Sequence, residues 1–261
     1  MKPDFSEFSY GYAVTEELVT RSRAFLVAAP LFPSLYEEGQ AGGGYDVKIP
    51  LHGIPLFLQF KLSDRLERKS AKEHQTGLLT VPYFRMHIRP NKHSDQHNLL
   101  LALEASGEAV FYIAPEFHLP EELNSHYLAR QVLPNSAAFS PADIGAMPDD
   151  DAHYIAFERG ASFGYRCSDD PVVVNKLDLY EGIHQALRGR EVVKRQIGEA
   201  GLKEISKRML SVLEEGDTRL REREKSVDIN GLRQIVQQRS PLESAGYIAR
   251  TFFDSELVIL E

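Results

Sequence analysis

A chain of 261 residues with 43% hydrophobic side chains has enough apolar material for one large domain or two modest ones. Its formal charge of −8 disfavours a surface coated throughout by nucleic acid, since phosphate binding runs on Lys and Arg displacing counterions, and its single cysteine, Cys167, excludes an internal disulfide. No apolar run reaches membrane-spanning length, and the start MKPDFSEFSYGY lacks both a basic and an apolar leader region, so a cytoplasmic protein that binds no membrane is expected.

In chain order, TEELVTRSRAFLVAA (15–29) has helical spacing, with Thr15 as N-cap, Val14, Leu18, Phe25 and Ala29 on one face, and Pro30 and Pro33 ending it. The loop SLYEEGQAGGGY leads to two short strands, YDVKIPL and IPLFLQFKL, around a His52-Gly53 turn. Residues 64–80 read as a polar excursion and PYFRMHIR (82–89) as a third strand. SDQHNLLLALEASG reads as a helix with Ser94 at its N-cap and Gly107 past its end, and AVFYIAP (109–115) as a buried strand. The order is helix, three strands, helix, strand. Further on, HLPEELNSHYLARQVL suggests a short helix and HYIAFERG with SFGYRCS a hairpin. Residues 177–239 read as mostly helical, with breaks near Gly189, Gly201, Gly216 and Gly231, and TFFDSELVIL as a last strand. The expected division is an α/β domain over 1–175 and a mostly helical C-terminal part over 176–261, packed on or beside it.

The chemistry-bearing stretch is PLFLQFK. Side chains alternate across a strand, so Gln59 and Lys61 share one face and Leu58 and Phe60 the other. A turn centred on His52-Gly53 pairs Val47 with Leu58 and Ile49 with Leu56, and sets Asp46 across from Gln59. A carboxylate, an amide oxygen and an ammonium on one face suit phosphodiester hydrolysis: the oxygens can hold a hard cation such as Mg²⁺ or Mn²⁺, and the ammonium can orient water or stabilise developing negative charge. The plain alternative is a solvated sheet face, with Lys61 blunting an edge strand. Residues 61–92 carry eight Lys/Arg against three Asp/Glu, so Arg65, Arg68, Lys69 and Lys72 are candidate phosphate contacts, or simply a solvated face. His93 and His97 have the i, i+4 spacing of zinc ligands, but with one cysteine and no HExxH no zinc site is expected. Gln96 and His97 are expected to serve the start of their helix, or at most to contact phosphate or a residue of the site.

The spacing GGYD, twelve residues, QFK, between an acidic helix and a later helix and strand, resembles the PD-(D/E)XK superfamily of restriction-endonuclease-like nucleases in its QxK variant. The likeness covers about residues 14–115. It implies an αβββαβ core with a mixed sheet, and a metal-dependent nuclease with Mg²⁺ or Mn²⁺ as cofactor. By the same resemblance Asp46, Gln59 and Lys61 would stand at the catalytic positions, with Asp46 and Gln59 as metal ligands. Glu17, on the inner side of the first helix, is the further ligand that members often add. The implied substrate is nucleic acid, with DNA the first expectation and defence against foreign DNA the implied setting. Gln59 stands where Asp or Glu is usual, so a nuclease-like module without catalysis, binding nucleic acid or a partner protein, is the rival. Self-association stays open.

Overall fold

The computed structural model describes residues 1–21, 51–52, 54–92, 96–167, 170–180, 196–197, 199–220, 229–253 and 255–260. Its first element is the helix α1 (Glu7–Arg21), and there Tyr10, Val14 and Leu18 recur at i, i+4 and i+8 and are fully buried. The helix starts earlier than Thr15. Ser6 Oγ accepts the backbone N–H of Ser9 at 3.0 Å, while Thr15 lies mid-helix and donates its hydroxyl to Gly11 O at 2.7 Å. Phe25 and Ala29 lie outside the described residues.

Strands β1 (Leu51–His52), β2 (Ile54–Phe60) and β3 (Ser63–Leu66) precede the one-turn helix α2 (Lys72–Gln75) and strand β4 (Tyr83–Ile88). Next come α3 (Gln96–Ala105), β5 (Ala109–Pro115), α4 (Pro120–Ala129), a 3-10 turn (Leu133–Asn135), β6 (Ser136–Phe139) and α5 (Pro141–Ile144). The chain continues through β7 (His153–Phe157), β8 (Phe163–Cys167), β9 (Val172–Asn175) and β10 (Gln196–Ile197). It ends in α6 (Glu199–Leu220), α7 (Ile229–Gln238), α8 (Pro241–Phe253) and β11 (Glu256–Leu260). The α/β class is as expected. One sheet is mixed, in the order β11-β2-β5-β6, a second is antiparallel, in the order β3-β4-β7-β8-β9, and β1 with β10 forms a third of two strands.

Several expectations are corrected by this pairing. PYFRMHIR is a strand, but β4 pairs with β3 and β7 in the antiparallel sheet and not beside β2. The excursion over 64–80 contains β3 as well as α2. Leu58 and Leu56 face Glu256 and Val258 of β11, and β5 takes the other edge of β2, while Val47 and Ile49 lie outside the described residues. Leu51 and His52 pair with Ile197 and Gln196. The expected β7–β8 hairpin is present, with Ala156 opposite Tyr165. Past α3, Gly107 takes φ of +97°, a conformation open to glycine, and its N–H returns to Glu104 O at 2.8 Å.

The chain divides into two compact units, neither of them one stretch. The first holds 1–21, 59–97 and 111–186, the second 22–58, 98–110 and 187–261. In the first, Phe157 of β7 stacks on Phe84 at 6.0 Å and meets Phe139 at 5.3 Å, and Phe117 packs on Tyr10 and Phe5. In the second, Leu202, Ile205, Met209 and Leu213 form the buried stripe of α6, which packs against α8 and its Ala245, Ile248 and Ala249. Gly201 and Gly216 lie inside α6 and Gly231 inside α7, so they do not break the helices. Each costs about 1 kcal/mol relative to alanine, less than the burial of the flanking stripe returns.

Candidate active site

Lys61 follows the last residue of β2 and still keeps the sheet ladder, donating its backbone N–H to Ile113 O of β5 at 2.9 Å. Alternation then separates the side chains. Phe60 turns to α1, edge-on to Tyr10 at 6.2 Å and so close to Gly11 that an added Cβ there would come within 2.8 Å of its ring. Gln59 and Lys61 turn the other way and are buried, at 1% and 7% exposure, so the solvated-face reading and the edge-strand reading both fail.

On that side they meet Gln96, the first residue of α3, 5% exposed. Lys61 Nζ donates to Gln96 Oε1 at 3.2 Å, Gln96 Nε2 donates to Gln59 Oε1 at 2.9 Å, and Gln59 Nε2 donates to Phe60 O at 3.0 Å. The three side chains form one directional chain. His97, the next residue, is buried with Nε2 2.8 Å from Gly145 O and Nδ1 3.1 Å from Tyr112 Oη. A carbonyl only accepts, so Nε2 carries the hydrogen and Nδ1 accepts from the tyrosine. Burial depresses the His97 pKa, and the charges of Arg166 and His153 act in the same direction against the Gly145 hydrogen bond, so the ring is neutral. Gln96 and His97 thus do more than start a helix. The sequence carries a signal for this: Gln96 lies on the stripe of Leu99, Leu100 and Leu103, a polar side chain where α3 is otherwise apolar.

The remaining expected residues are placed as follows. Asp46 and His93 lie outside the described residues. Glu17 is buried on α1, where its Oε2 accepts the N–H groups of Val132 at 2.6 Å and Leu133 at 3.3 Å, and its Oε1 pairs with Arg21 at 2.6 Å. It therefore serves the start of the 3-10 turn, on the helix that covers Phe60. Arg68, Lys69 and Lys72 are exposed around the turn into α2, and Arg65 pairs with Glu67 at 2.5 Å.

A second buried polar cluster carries no motif. Glu73 of α2 receives Tyr83 Oη, Arg85 Nη2 at 2.5 Å and Tyr154 Oη at 2.5 Å, and the Arg85 guanidinium lies 4.2 Å over the Tyr154 ring. Burial alone pushes this carboxyl up, but the hydrogen bonds from Tyr154, Tyr83 and Arg85 outweigh it and hold the pKa down at about 2. Cys167, packed beside Tyr83, has its thiol pushed up to about 12, first by burial and then by the Glu73 charge, so it is no nucleophile.

For a divalent ion, the described part of the site offers the hard amide oxygens of Gln59 and Gln96, the latter already accepting from Lys61. An amide oxygen has two lone pairs, and the bond from Gln96 takes one of those on Gln59. Among the described residues no three His, Cys, Asp or Glu side chains converge, and Asp46 lies outside those residues. Among the same residues no helix is long and apolar enough to cross a membrane. No protein-family model, curated protein or solved structure matches this chain.

Proposed function

We propose that the chain is a metal-dependent nuclease with a restriction-endonuclease-like core, hydrolysing phosphodiester bonds of nucleic acid, DNA first, at a site built on Asp46, Gln59 and Lys61. The observation that carries this reading is the buried Lys61 beside Gln59 at the end of a central strand, both gripped by one side chain at the start of α3. A buried lysine costs desolvation and is retained where its charge is used. In this reading the Lys61 ammonium stabilises the negative charge that develops on the phosphoryl oxygens, and Gln59 and Asp46 supply oxygens to Mg²⁺ or Mn²⁺. The ion, when bound, polarises the phosphate and lowers the pKa of its water. Defence against foreign DNA is the setting we attach to such an activity.

The rival reading is a nuclease-like module that binds nucleic acid or a partner protein without cleaving. It is favoured by the neutrality of Gln59 and by the bond that already occupies its oxygen. Cleavage assays with Mg²⁺ and Mn²⁺ on single- and double-stranded DNA and RNA separate the two. Wild type should cleave at least one substrate, Lys61→Met should lose about 10²-fold or more, and Asp46→Asn should lose orders of magnitude while remaining folded. A folded wild type without cleavage on any of them leaves the binding module as the reading.

A further inference from the structure

We propose that Gln96 is a positioning residue of this site, whose side-chain amide sets the direction of the hydrogen-bond chain and so fixes both the place of the Lys61 ammonium and the orientation of the Gln59 amide. The catalytic consequence rests on the nuclease reading. The orientation itself does not.

The argument follows from donor and acceptor counts. An ammonium only donates, so the Gln96 amide must turn its oxygen to Lys61 Nζ, which leaves its NH2 facing Gln59. Gln59 must then answer with its oxygen, and its own NH2 falls to the carbonyl of Phe60. Reversing either amide would set donor against donor in a buried space, where an unmade hydrogen bond is costly. Lys61 thus imposes one polarity on two glutamines, and Gln96 transmits it.

Gln96 can transmit it because its backbone is held. His97 is fastened at both ring nitrogens, to Tyr112 on β5 and to Gly145, and its ring stacks on Tyr112 at 5.8 Å. Arg166 Nη1 donates to the carbonyls on either side of Gly145, those of Ile144 at 2.7 Å and Ala146 at 2.8 Å, so the anchor is itself anchored. The reach of Gln96 to Lys61 and Gln59 is therefore defined by strands and a clamped loop, the kind of support that keeps a reacting group within a fraction of an ångström of its working place.

The experiment uses the full chain with two variants. Gln96→Met removes both bonds at similar volume; Gln96→Glu keeps an acceptor for Lys61 but cannot donate to Gln59. With the best cleaved substrate, Gln96→Met should lower kcat about 10²-fold with KM within about twofold, since displacement by an ångström has that effect. Gln96→Glu should recover to within about tenfold of wild type, because the ammonium is held again. In metal-free protein, the side-chain NH2 signals of Gln59 in ¹H–¹⁵N spectra should be distinct and slow to exchange in wild type, and should shift and exchange faster in both variants. Unchanged Gln59 signals in either folded variant overturn the proposal, as does an unchanged kcat in Gln96→Met. If Gln96→Met does not fold, Gln96→Glu decides by the same signals. If wild type cleaves nothing, the nuclease reading fails while the Gln59 signals still decide the orientation.

Discussion

Two buried polar groups in the same compact unit are wired in opposite ways. Around Glu73 every bond points inward: two tyrosine hydroxyls and a guanidinium converge on one carboxylate, and the charge of Arg85 lies against it. Around Lys61 the bonds among the described residues run head to tail, from ammonium to amide to amide to backbone carbonyl. A convergent cluster stabilises the anion at its centre and fastens whatever carries it, here α2 onto the strands β4 and β7. A directional chain instead orients its members, so its value shows in what those members face. Stability should therefore depend on the first, and chemistry on the second.

The largest expected effect breaks the convergent cluster. Folding holds the Glu73 carboxyl at about 2 against an ordinary value of 4.5, so its contribution to stability is complete above about pH 4.5 and is lost as the pH falls toward 2. That contribution is about 3 kcal/mol. Glu73→Gln removes the same charge at neutral pH and should lose a similar amount, with a correspondingly smaller further loss on acidification. Urea midpoints for both proteins between pH 7 and pH 3 measure this. A variant as stable as wild type at pH 7 would mean that the tyrosines and Arg85 find equal partners without the carboxylate.

The contrast also explains what the amino-acid sequence discloses. Period-two alternation is a local property of PLFLQFK, and it suffices to put Gln59 and Lys61 on one face with Phe60 on the other. The partner of that strand is not local. β11 lies some two hundred residues on, and a short apolar strand accepts any edge of matching pattern, so Leu58 gives no sign of its pairing with Glu256. Glu73, Tyr83, Arg85 and Tyr154 are spread over eighty-one residues, and only the antiparallel pairing of β4 with β7 brings them together. Gln96 is legible in part, as the polar residue on the apolar stripe of α3, but the stripe does not say what it meets. The start of α1 is missed because Ser6 lies ahead of the strongest apolar spacing. Glu17 is placed on the inner side of its helix by that spacing and is indeed buried, yet burial says nothing of its partner, which is a 3-10 turn more than a hundred residues away.

A smaller effect is expected from Gln59→Glu, which sharpens the distinction by adding a charge to the directional chain. The carboxylate still accepts from Gln96 Nε2, but it cannot donate to Phe60 O, and the two oxygens then repel. Stability should fall by about 1–3 kcal/mol, while affinity for Mn²⁺ should rise because a carboxylate replaces an amide oxygen as ligand. Calorimetric titration of Mn²⁺ beside a urea midpoint reads both. Rising affinity with falling stability would show the glutamine as a compromise between the chain and the ion; no change in stability would show that the bond to Phe60 does not matter.

The smallest effect on stability should come from the cations that belong to neither group. Arg68, Lys69 and Lys72 are exposed around a turn closed by the bond from Ala71 N–H to Arg68 O at 2.9 Å, and the Glu73 cluster fixes the helix that follows. Their placement is therefore set by a lock in which they take no part, so replacing all three by Ala should leave stability within about 0.5 kcal/mol. Nucleic-acid binding is the sensitive quantity. If the three contact phosphates, each lost contact should reduce the slope of log affinity against log salt by about 0.9 for duplex DNA, because fewer counterions are released. The same triple change in a Glu73→Gln background should then cost less binding than in wild type, since a loosened α2 no longer presents the turn. Equal salt slopes for wild type and the triple variant would return these residues to an ordinary solvated surface and leave the lock a purely structural device.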